Sequence, residues 1–377
     1  MRHLRILILL TVAMCCPMRA YGQTAPVSGV PRVAFINPGF GDSGFWKDVS
    51  DTMRAAAAQL GFEVIVFDSN RDWPLMAENT NRVFAMDPPP DYIIAVNEYQ
   101  QGSRIVIEAN ARNIPVFMLL NDLTLAQKGR LARAGDDLSR WIATLTPDND
   151  RAGYEIARSL VMAAQDAGPD LAGRKDLCLL TLAGDQLTPA SIDRLAGLDR
   201  ALREFPAMVE QRRLVVNWSY DEAYRRTRNW IEMGGCVDLV WAANDPIALG
   251  AIQALREAGR APGEDVMIAG LNWSQEALDL VVLGEMTMTH GGHFMAGAWM
   301  MVLIHDYHHG LLTKGRDFSF PMLAIDRTNV AVFQDALGDR DWNVIDFGAF
   351  SRRAHPELPE YRFDLDTLLA AVTKRVE

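Results

Sequence analysis

Residues 33–67, VAFINPGFGDSGFWKDVSDTMRAAAAQLGFEVIVF, decide the fold. The apolar run at 33–36 predicts a buried strand, and the apolar run at 62–67 predicts another. Between them Val49, Met53, Ala57 and Leu60 recur at three- and four-residue spacing, which is one face of a helix. Gly61 then ends that helix. Such a unit predicts two parallel strands joined by a crossover helix.

The same alternation continues along the chain. Further strands are predicted in the first half at 92–96, 115–119 and 141–145, and in the second half at 177–182, 214–217, 237–242, 266–269 and 286–289. Helical patterns lie between them, which is typical of parallel sheets with helices on both faces. Ten strands are many for one open sheet, and turn residues at 147–150 divide them evenly. We therefore expect an α/β protein with two doubly wound parallel-sheet lobes, with a single closed barrel as the alternative.

Composition and charge exclude several classes of protein. The chain has 377 residues, of which 49% are apolar and 23% charged, as expected for two or three globular domains and not for a disordered chain. Its 37 basic residues stand against 48 acidic residues, giving a net charge of −11. Because such a chain repels the phosphates of nucleic acids, no nucleic-acid partner is expected.

The first 22 residues have the pattern of a cleavable signal peptide. A basic start, Met1 to Arg5, precedes an apolar run of about eleven residues, and Ala20-Tyr21-Gly22 places small residues where a signal peptidase cuts. A buried N-terminal strand and a lipid anchor are less favoured, the anchor because Met14 stands where a lipoprotein motif needs a small residue. Cleavage removes three arginines, so the mature charge is 34 − 48 = −14. We expect a periplasmic protein.

Two cysteines, Cys178 and Cys236, remain after that cleavage. An oxidising compartment allows them to pair. Cys178, however, lies within an apolar strand pattern, so the sequence favours two buried thiols over a disulfide bond.

The loop after the first predicted strand supports one enzymatic alternative. Residues 39–44, GFGDSG, match G-x-G-x-x-G between a strand and a helix, and Asp68 ends the second strand where a ribose-binding acid would lie. Pro38 separates the strand from the first glycine, and two bulky rings follow where a pyrophosphate has to approach the backbone. An exported NAD-dependent oxidoreductase is therefore the less favoured function.

Amide, acidic and aromatic side chains recur where the predicted strands end. They are Phe45 and Trp46, Asn97 and Glu98, Asn121 and Asp122, Trp218, Asn244 and Asp245, and Asn272 and Trp273. Ligands of open α/β sheets bind beyond the carboxyl ends of the strands. Amides and carboxylates bind hydroxyl groups in fixed directions, and aromatic faces pack on a sugar ring. Each residue alone is equally typical of a turn or helix cap, but their recurrence favours a cleft for a small polyol.

Residues 241–251, WAANDPIALGA, resemble the ND-x-x-A-L-G-A run of periplasmic sugar-binding proteins of the type I fold. That family includes ribose- and galactose-binding proteins and the autoinducer-2 receptor branch. The resemblance covers about residues 31–330. It implies a multi-strand hinge with crossovers near 144–148, 289–292 and 324–326, which closes on a ligand. It also implies a first lobe at 31–144 plus 291–321, and a second lobe at 145–289 plus 323–377 that includes the C-terminal tail.

The resemblance further implies a set of ligand-binding residues: Phe45, Trp46, Asn121, Asp122, Arg194, Trp218, Asn244, Asp245, Asn272 and His290. The two aromatic residues after the first strand match the pair that stacks on the sugar. Arg194 matches the arginine of a second-lobe helix. Two positions depart from the family: Asn272 replaces an acid, and His290 replaces a glutamine. These changes alter the donors and acceptors of the cleft and leave the sugar's identity open.

The sequence predicts binding and no catalysis. No Ser-His-Asp or Cys-His spacing stands out, and the helix-turn-helix of repressors that share this fold is missing. His305, His308 and His309 precede Gly310 at the end of a predicted helix, where the helix dipole explains them better than a metal site does. The resemblance thus implies a monomeric solute-binding protein without metal or cofactor. It would capture a sugar or polyol for an ABC transporter, or, as the alternative, serve as co-receptor of a membrane sensor.

Overall fold

The computed structural model describes residues 29–136, 138–167, 169–312, 316–357 and 360–372. The expected signal peptide at 1–22 lies outside these residues. The chain first runs through β1 (Arg32–Asn37), α1 (Gly44–Leu60), β2 (Glu63–Asp68), α2 (Trp73–Phe84), β3 (Tyr92–Ala95), α3 (Gly102–Ala111), β4 (Val116–Leu119), α4 (Leu125–Ala134) and β5 (Trp141–Pro147). A short 3-10 helix, Glu98–Gln100, follows β3.

The second half repeats the alternation. It contains α5 (Asn149–Asp166), α6 (Pro169–Ala172), β6 (Leu177–Ala183), α7 (Pro189–Glu204), β7 (Met208–Val215), α8 (Tyr220–Glu232), β8 (Leu239–Ala242), α9 (Asp245–Glu257), β9 (Met267–Leu271), α10 (Gln275–Leu283) and β10 (Met288–Gly291). The chain ends with α11 (Ala296–His308), β11 (Arg316–Phe320), β12 (Leu323–Ile325), α12 (Val330–Leu337) and α13 (Leu365–Ala370), with 3-10 turns at His293–Met295, Trp342–Val344 and Phe347–Phe350.

The strands described here form two six-stranded sheets, one in each lobe. The first has the order β11-β5-β4-β3-β1-β2 and is parallel throughout. The second has the order β12-β10-β9-β8-β6-β7 and is parallel except for β12, which pairs antiparallel with β10. The inner strands are buried along most of their length, as strands covered by helices on both faces must be. The expected α/β architecture of two doubly wound lobes is confirmed.

Three short connections join the lobes. The chain passes from the first sheet to the second after β5, returns after β10, and crosses again between Phe320 and Leu323. The third crossover therefore precedes the predicted 324–326. Residues 324 and 325 are already paired with β10 in the second sheet.

The family resemblance implied that the C-terminal tail belongs to the second lobe, but most of the tail packs against the first lobe. Gln59 on α1 donates to the Ile345 carbonyl at 2.8 Å and accepts from the Phe347 amide at 3.1 Å. Asp306 on α11 accepts from the Tyr361 hydroxyl at 2.7 Å. Since α1 and α11 cover the first sheet, the tail from about residue 342 onwards belongs to the first lobe, and that part of the assignment is wrong.

Cys178 and Cys236 form a disulfide bond, so the expectation of two buried thiols is wrong. Cys178 lies at the start of β6, and Cys236 lies just before β8, which is the neighbouring parallel strand. Parallel neighbours begin at the same edge of a sheet, and this brings the two Cα atoms to 5.7 Å, within the usual range for a disulfide.

No helix in the described part of the chain has both the length and the apolar character needed to cross a bilayer.

Candidate functional site

A cleft of about 510 Å³ lies between the two lobes, at the carboxyl ends of both sheets. It is lined by Phe45, Trp46, Arg71, Glu98, Leu120, Asn121, Pro147, Thr188, Ala190, Arg194, Trp218, Asn244, Asn272 and His293. Seven of the ten predicted ligand-binding residues are brought together here.

The first-lobe wall carries an aromatic pair at the start of α1. Phe45 stacks on His293, with ring centroids 4.3 Å apart and planes 25° apart. Trp46 packs over Gly39, where any Cβ would fall 2.1 Å from its indole ring. A Cβ at Gly41 would likewise meet the Asp68 carboxylate at 2.1 Å. The first two glycines of the G-x-G-x-x-G match therefore make room for the protein's own side chains, which argues against a pyrophosphate there.

Arg194 is the central cation of the second-lobe wall. It lies on α7 with 3% of its surface exposed, and it donates to Asn149 Oδ1 at 2.9 Å and to the Ala243 carbonyl at 2.7 Å. Its guanidinium also lies 5.6 Å from the ring of Trp218. Burial lowers the pKa of Arg194 to about 9, although nearby Asp245 and Asp193 oppose that shift. The side chain is thus a charged, fixed donor at neutral pH.

Close packing of two helices sets the position of Arg194. A Cβ at Gly153 on α5 would lie 1.9 Å from the Arg194 carbonyl oxygen, and a Cβ at Gly197 on α7 would lie 1.9 Å from the Asp150 carbonyl oxygen. Only glycine permits this approach of the two backbones. The two glycines therefore allow α7 to pack closely against α5, and this packing positions Arg194 at the cleft.

Amide side chains complete the predicted part of the cleft. Asn121 accepts from the Ala190 amide at 3.2 Å, a hydrogen bond that links the two lobes. Asn244 accepts from the Ile247 amide at 3.0 Å and so caps α9, which leaves its NH₂ group for a ligand. Asn272, which replaces the acid of the family, also lines the cleft. Trp218 donates to the Asp185 carboxylate at 2.6 Å, which fixes its indole ring.

Three predicted residues are not brought to the cleft. Asp122 forms an ion pair with Lys128 at 2.5 Å. Asp245 is fully buried and accepts from the Ser274 amide and the Thr289 hydroxyl, both at 2.8 Å, while burial raises its pKa to about 6. His290 lies behind the cleft, with its Nε2 2.7 Å from Glu155. The protein's own groups thus engage all three side chains.

Four polar lining residues were missing from the predicted set: Arg71, Glu98, Thr188 and His293. Glu98 follows β3 directly, and Arg71 follows the end of β2. The strand-end pattern had already included Glu98, although the ligand set implied by the resemblance left it out, and the same pattern also applied to Arg71. Thr188 and His293 lie in turns whose course the sequence does not reveal.

Glu98 is the acidic group of the cleft. The residue is 6% exposed, it lines the cleft, and its carboxyl oxygens are not among the buried polar atoms that lack a partner in the described part of the chain. Burial raises the pKa of Glu98 to about 7, Arg71 opposes that shift, and Asp185 adds to it. Desolvation of the charged form is costly to the folded state, and because Glu98 lines the cleft a ligand hydroxyl group can bind its carboxylate and offset that cost.

His293 lines the same space with a buried ring. Burial, with a contribution from Arg194, lowers its pKa well below the ordinary value, so the ring is neutral at pH 7. Its Nε2 lies 3.5 Å from an Arg194 nitrogen, which can only donate, so Nε2 accepts and Nδ1 carries the hydrogen. Among the described residues Nδ1 has no partner. Nδ1 is also buried, so in this structure its hydrogen does not reach the cleft.

The sequence matches the family model for the periplasmic binding protein domain over residues 33–309. A solved periplasmic sugar-binding protein from Pseudomonas fluorescens superimposes with a TM-score of 0.80 at 32% identity, covering 90% of this chain and 99% of that one. The chain is 26% identical over 318 residues to a xylitol-binding protein of Mycolicibacterium smegmatis, which covers 82% of this chain and 81% of the relative.

A D-apiose import binding protein of Paraburkholderia graminis is 26% identical over 271 residues, which covers 71% of this chain and 78% of the relative. The family model, the two lobes and the interlobe cleft agree with one another. The chain belongs to the periplasmic binding protein domain family, as its resemblance to sugar-binding proteins of the type I fold implied.

Proposed function

We propose that this protein captures a small sugar or polyol in the interlobe cleft and delivers it to an ABC importer. The observation that carries this proposal is the composition of the two facing walls. The aromatic rings of Phe45 and Trp46 lie on one side, and the hydrogen-bonding groups of Arg194 and Asn244 lie on the other. Rings pack on the apolar face of a sugar while fixed donors and acceptors bind its hydroxyl groups.

The names of the relatives support this ligand class. Xylitol is an open-chain polyol, and D-apiose is a branched pentose, so both carry several hydroxyl groups on a small carbon frame. The import role named for the D-apiose relative supports delivery to a transporter. The family contains sugar-binding transport proteins, and this supports ligand binding without catalysis as the role of the cleft.

Export to the periplasm is part of the proposal. The basic start, the apolar run and Ala20-Tyr21-Gly22 support cleavage near Gln23. N-terminal sequencing of the protein from a periplasmic extract should then begin near that residue. Recovery of a chain that still begins at Met1, in the cytoplasm, contradicts this part of the proposal.

A thermal-shift screen followed by calorimetry tests the ligand. The panel contains pentoses, hexoses, their disaccharides, xylitol, myo-inositol and NAD. Binding to the folded state raises the melting temperature with ligand concentration, and we expect a dissociation constant of about 1 µM or lower, equivalent to about −8 kcal/mol. Trp46 and Trp218 line the cleft, so their fluorescence should change on binding. Binding of NAD alone contradicts the proposal.

A further inference from the structure

A second, larger space lies beside the cleft next to Trp218, and we call it the outer cavity. Its volume is about 970 Å³, part of which is open to solvent, and it is bounded by Tyr99 from the first lobe and by Gln186, Leu187 and Asn217 from the second. Arg71, Glu98, Thr188 and Trp218 line both the cleft and the outer cavity. The outer cavity therefore lies directly beside the cleft, next to a ligand held there.

The side chains that bound the outer cavity suit a neutral ring with hydroxyl groups. Tyr99 and Leu187 are 37% and 53% exposed, so they present an aromatic face and an apolar surface. Gln186 and Asn217 add neutral amides, which both donate and accept. This is the same mixture of apolar faces and amides that lines the cleft itself.

The acid of the outer cavity is already engaged. Asp185 accepts from the Leu187 amide at 2.7 Å, the Thr188 amide at 2.6 Å and the Trp218 indole at 2.6 Å. Although burial opposes it, these hydrogen bonds and that of the Thr188 hydroxyl hold the pKa of Asp185 below its usual range. A carboxylate satisfied in this way does not require a cationic ligand, which argues against an amine as the occupant.

Three loops that bound the outer cavity have an unusual backbone. The residue pairs 70–71, 99–100 and 217–218 all have φ between 48° and 60° without being glycine. Such residues cost about 1 kcal/mol each and persist where the surrounding structure holds them. The pairs follow β2, β3 and β7, and they turn each loop at the margin of the cavity. Three independent loops are thus held in strained turns around the same space.

We propose that the outer cavity is a subsite for a second sugar ring, so that the ligand class is disaccharides and glycosides. This inference rests on the proposed sugar-binding function and extends it. One ring occupies the cleft between the aromatic pair and Arg194. The second ring packs on Tyr99 and Leu187 and is hydrogen-bonded by Gln186 and Asn217.

Calorimetric titration of paired ligands tests the subsite. Each monosaccharide of the panel is compared with its methyl glycosides and with disaccharides that contain it. We expect at least one disaccharide to bind tenfold or more tightly than its component monosaccharide, because it gains the contacts in the outer cavity. Equal or weaker binding of every disaccharide, beside clear monosaccharide binding, overturns the subsite and leaves the sugar-binding proposal intact. If no sugar of either size binds, the proposed function fails and the subsite with it.

Substitutions at Tyr99 test whether the gain in disaccharide affinity comes from the outer cavity. Asparagine tolerates a left-handed backbone, so Tyr99→Asn removes the ring while keeping the turn. We expect this variant to lose about tenfold in disaccharide affinity and less than twofold in monosaccharide affinity. Tyr99→Phe keeps the ring and loses the hydroxyl, which donates to the Arg71 carbonyl at 2.8 Å, so it should retain the disaccharide preference. Leu125→Ala, at a residue 88% exposed and outside both cavities, is the matched control. Equal losses for both ligand sizes in Tyr99→Asn overturn the assignment.

Discussion

Arg194 in the second-lobe wall and Glu98 in the first-lobe wall are both nearly excluded from solvent, with 3% and 6% of their surfaces exposed. Arg194 already donates two hydrogen bonds to its own lobe, to Asn149 and to the Ala243 carbonyl. Glu98 instead lines the cleft with a desolvated carboxyl group. One wall is therefore largely preorganised before ligand arrives, while the other keeps a desolvated acceptor for it.

Because of this difference, the two residues should contribute differently to folding stability and to ligand affinity. A fixed arginine contributes to the folded state as well as to the ligand, because its hydrogen bonds hold α7, α5 and the turn after β8 together. A desolvated, buried acid weakens the folded state, so its presence in the first-lobe wall is better explained by a role in ligand binding. Substitutions in the second wall should therefore weaken both properties, whereas those in the first wall should change them in opposite directions.

Arg194→Ala should have the largest effect. Truncation leaves ligand oxygens unpaired and should weaken affinity by roughly 30- to 1,000-fold, about 2–4 kcal/mol. It also removes the donor to Asn149 and to the Ala243 carbonyl, so the free energy of unfolding should fall by about 1–3 kcal/mol. Calorimetry with the ligand found in the screen measures the first effect, and urea unfolding of the apo protein measures the second.

Arg200→Ala is the matched control on the same helix. Arg200 is exposed, pairs with Asp150 at 2.6 Å and is absent from the cleft lining. An exposed pair contributes under about 1 kcal/mol, so this variant should bind normally and unfold almost normally. If Arg194→Ala retains affinity within threefold, the second wall does not bind the ligand through this arginine.

Loss of the disulfide should lower stability and leave binding unchanged. Cys178 and Cys236 are 58 residues apart, and a bridge that closes a loop of this size contributes about 4 kcal/mol. The bridge lies at the start of β6 and β8, at the opposite end of the sheet from the cleft. A Cys178→Ala/Cys236→Ala double variant should unfold at lower urea concentration and titrate with the wild-type dissociation constant. Reduced affinity in this variant would show that lower stability alone weakens binding. Effects of wall substitutions on affinity could then not be separated from their effects on stability.

Glu98→Gln should stabilise the apo protein at high pH and weaken binding. Below pH 4.5 the carboxyl group is protonated in both the folded and unfolded states and costs nothing. Since burial raises the folded pKa to about 7, stability falls as the pH rises from 4.5 to 7 and stays reduced above that. The shift corresponds to about 3–4 kcal/mol, which glutamine should restore at pH 8 and not at pH 4.5.

Comparison of wild type and Glu98→Gln over this pH range isolates the contribution of the Glu98 carboxyl group to stability, because other titrating residues contribute equally to both proteins. Urea unfolding at pH 4.5, 6 and 8 gives the stability difference, and calorimetry at pH 8 gives affinity. We expect affinity to fall roughly tenfold, because the amide offers one acceptor where the carboxylate offers two. A variant that is more stable and binds equally well argues that Glu98 does not contact the ligand.

The sequence predicted the lobes well because their strands are buried on both faces and carry continuous apolar runs. β7 shows where this signal fails. It is an edge strand with the sequence MVEQRRLV and mixed burial, so the prediction found only its last residues. β12, an antiparallel strand of three residues, gave no readable pattern and was not predicted.

The site could be predicted only in part, since a residue's place at a strand end does not fix the direction of its side chain. Asn244 and Asp245 are neighbours in the same motif, yet the first lines the cleft and the second points into the lobe. His293 reaches the cleft through a turn that begins at Gly292 with φ 93°. Such turns depend on packing between distant segments, which a single sequence does not show.

His290→Gln should have the smallest effect on binding. The resemblance implied a ligand contact, but the imidazole is buried behind the cleft, with its Nε2 2.7 Å from Glu155. Burial lowers the pKa of His290 although Glu155 opposes this, so the neutral ring donates its Nε2 hydrogen to the carboxylate. A glutamine amide can make the same donation, so calorimetry should show affinity within twofold of wild type. His293→Gln is the informative partner variant, since His293 lines the cleft and stacks on Phe45. A larger loss of affinity at position 290 than at 293 would restore the first expectation and would move the ligand toward the hinge, away from both walls compared here.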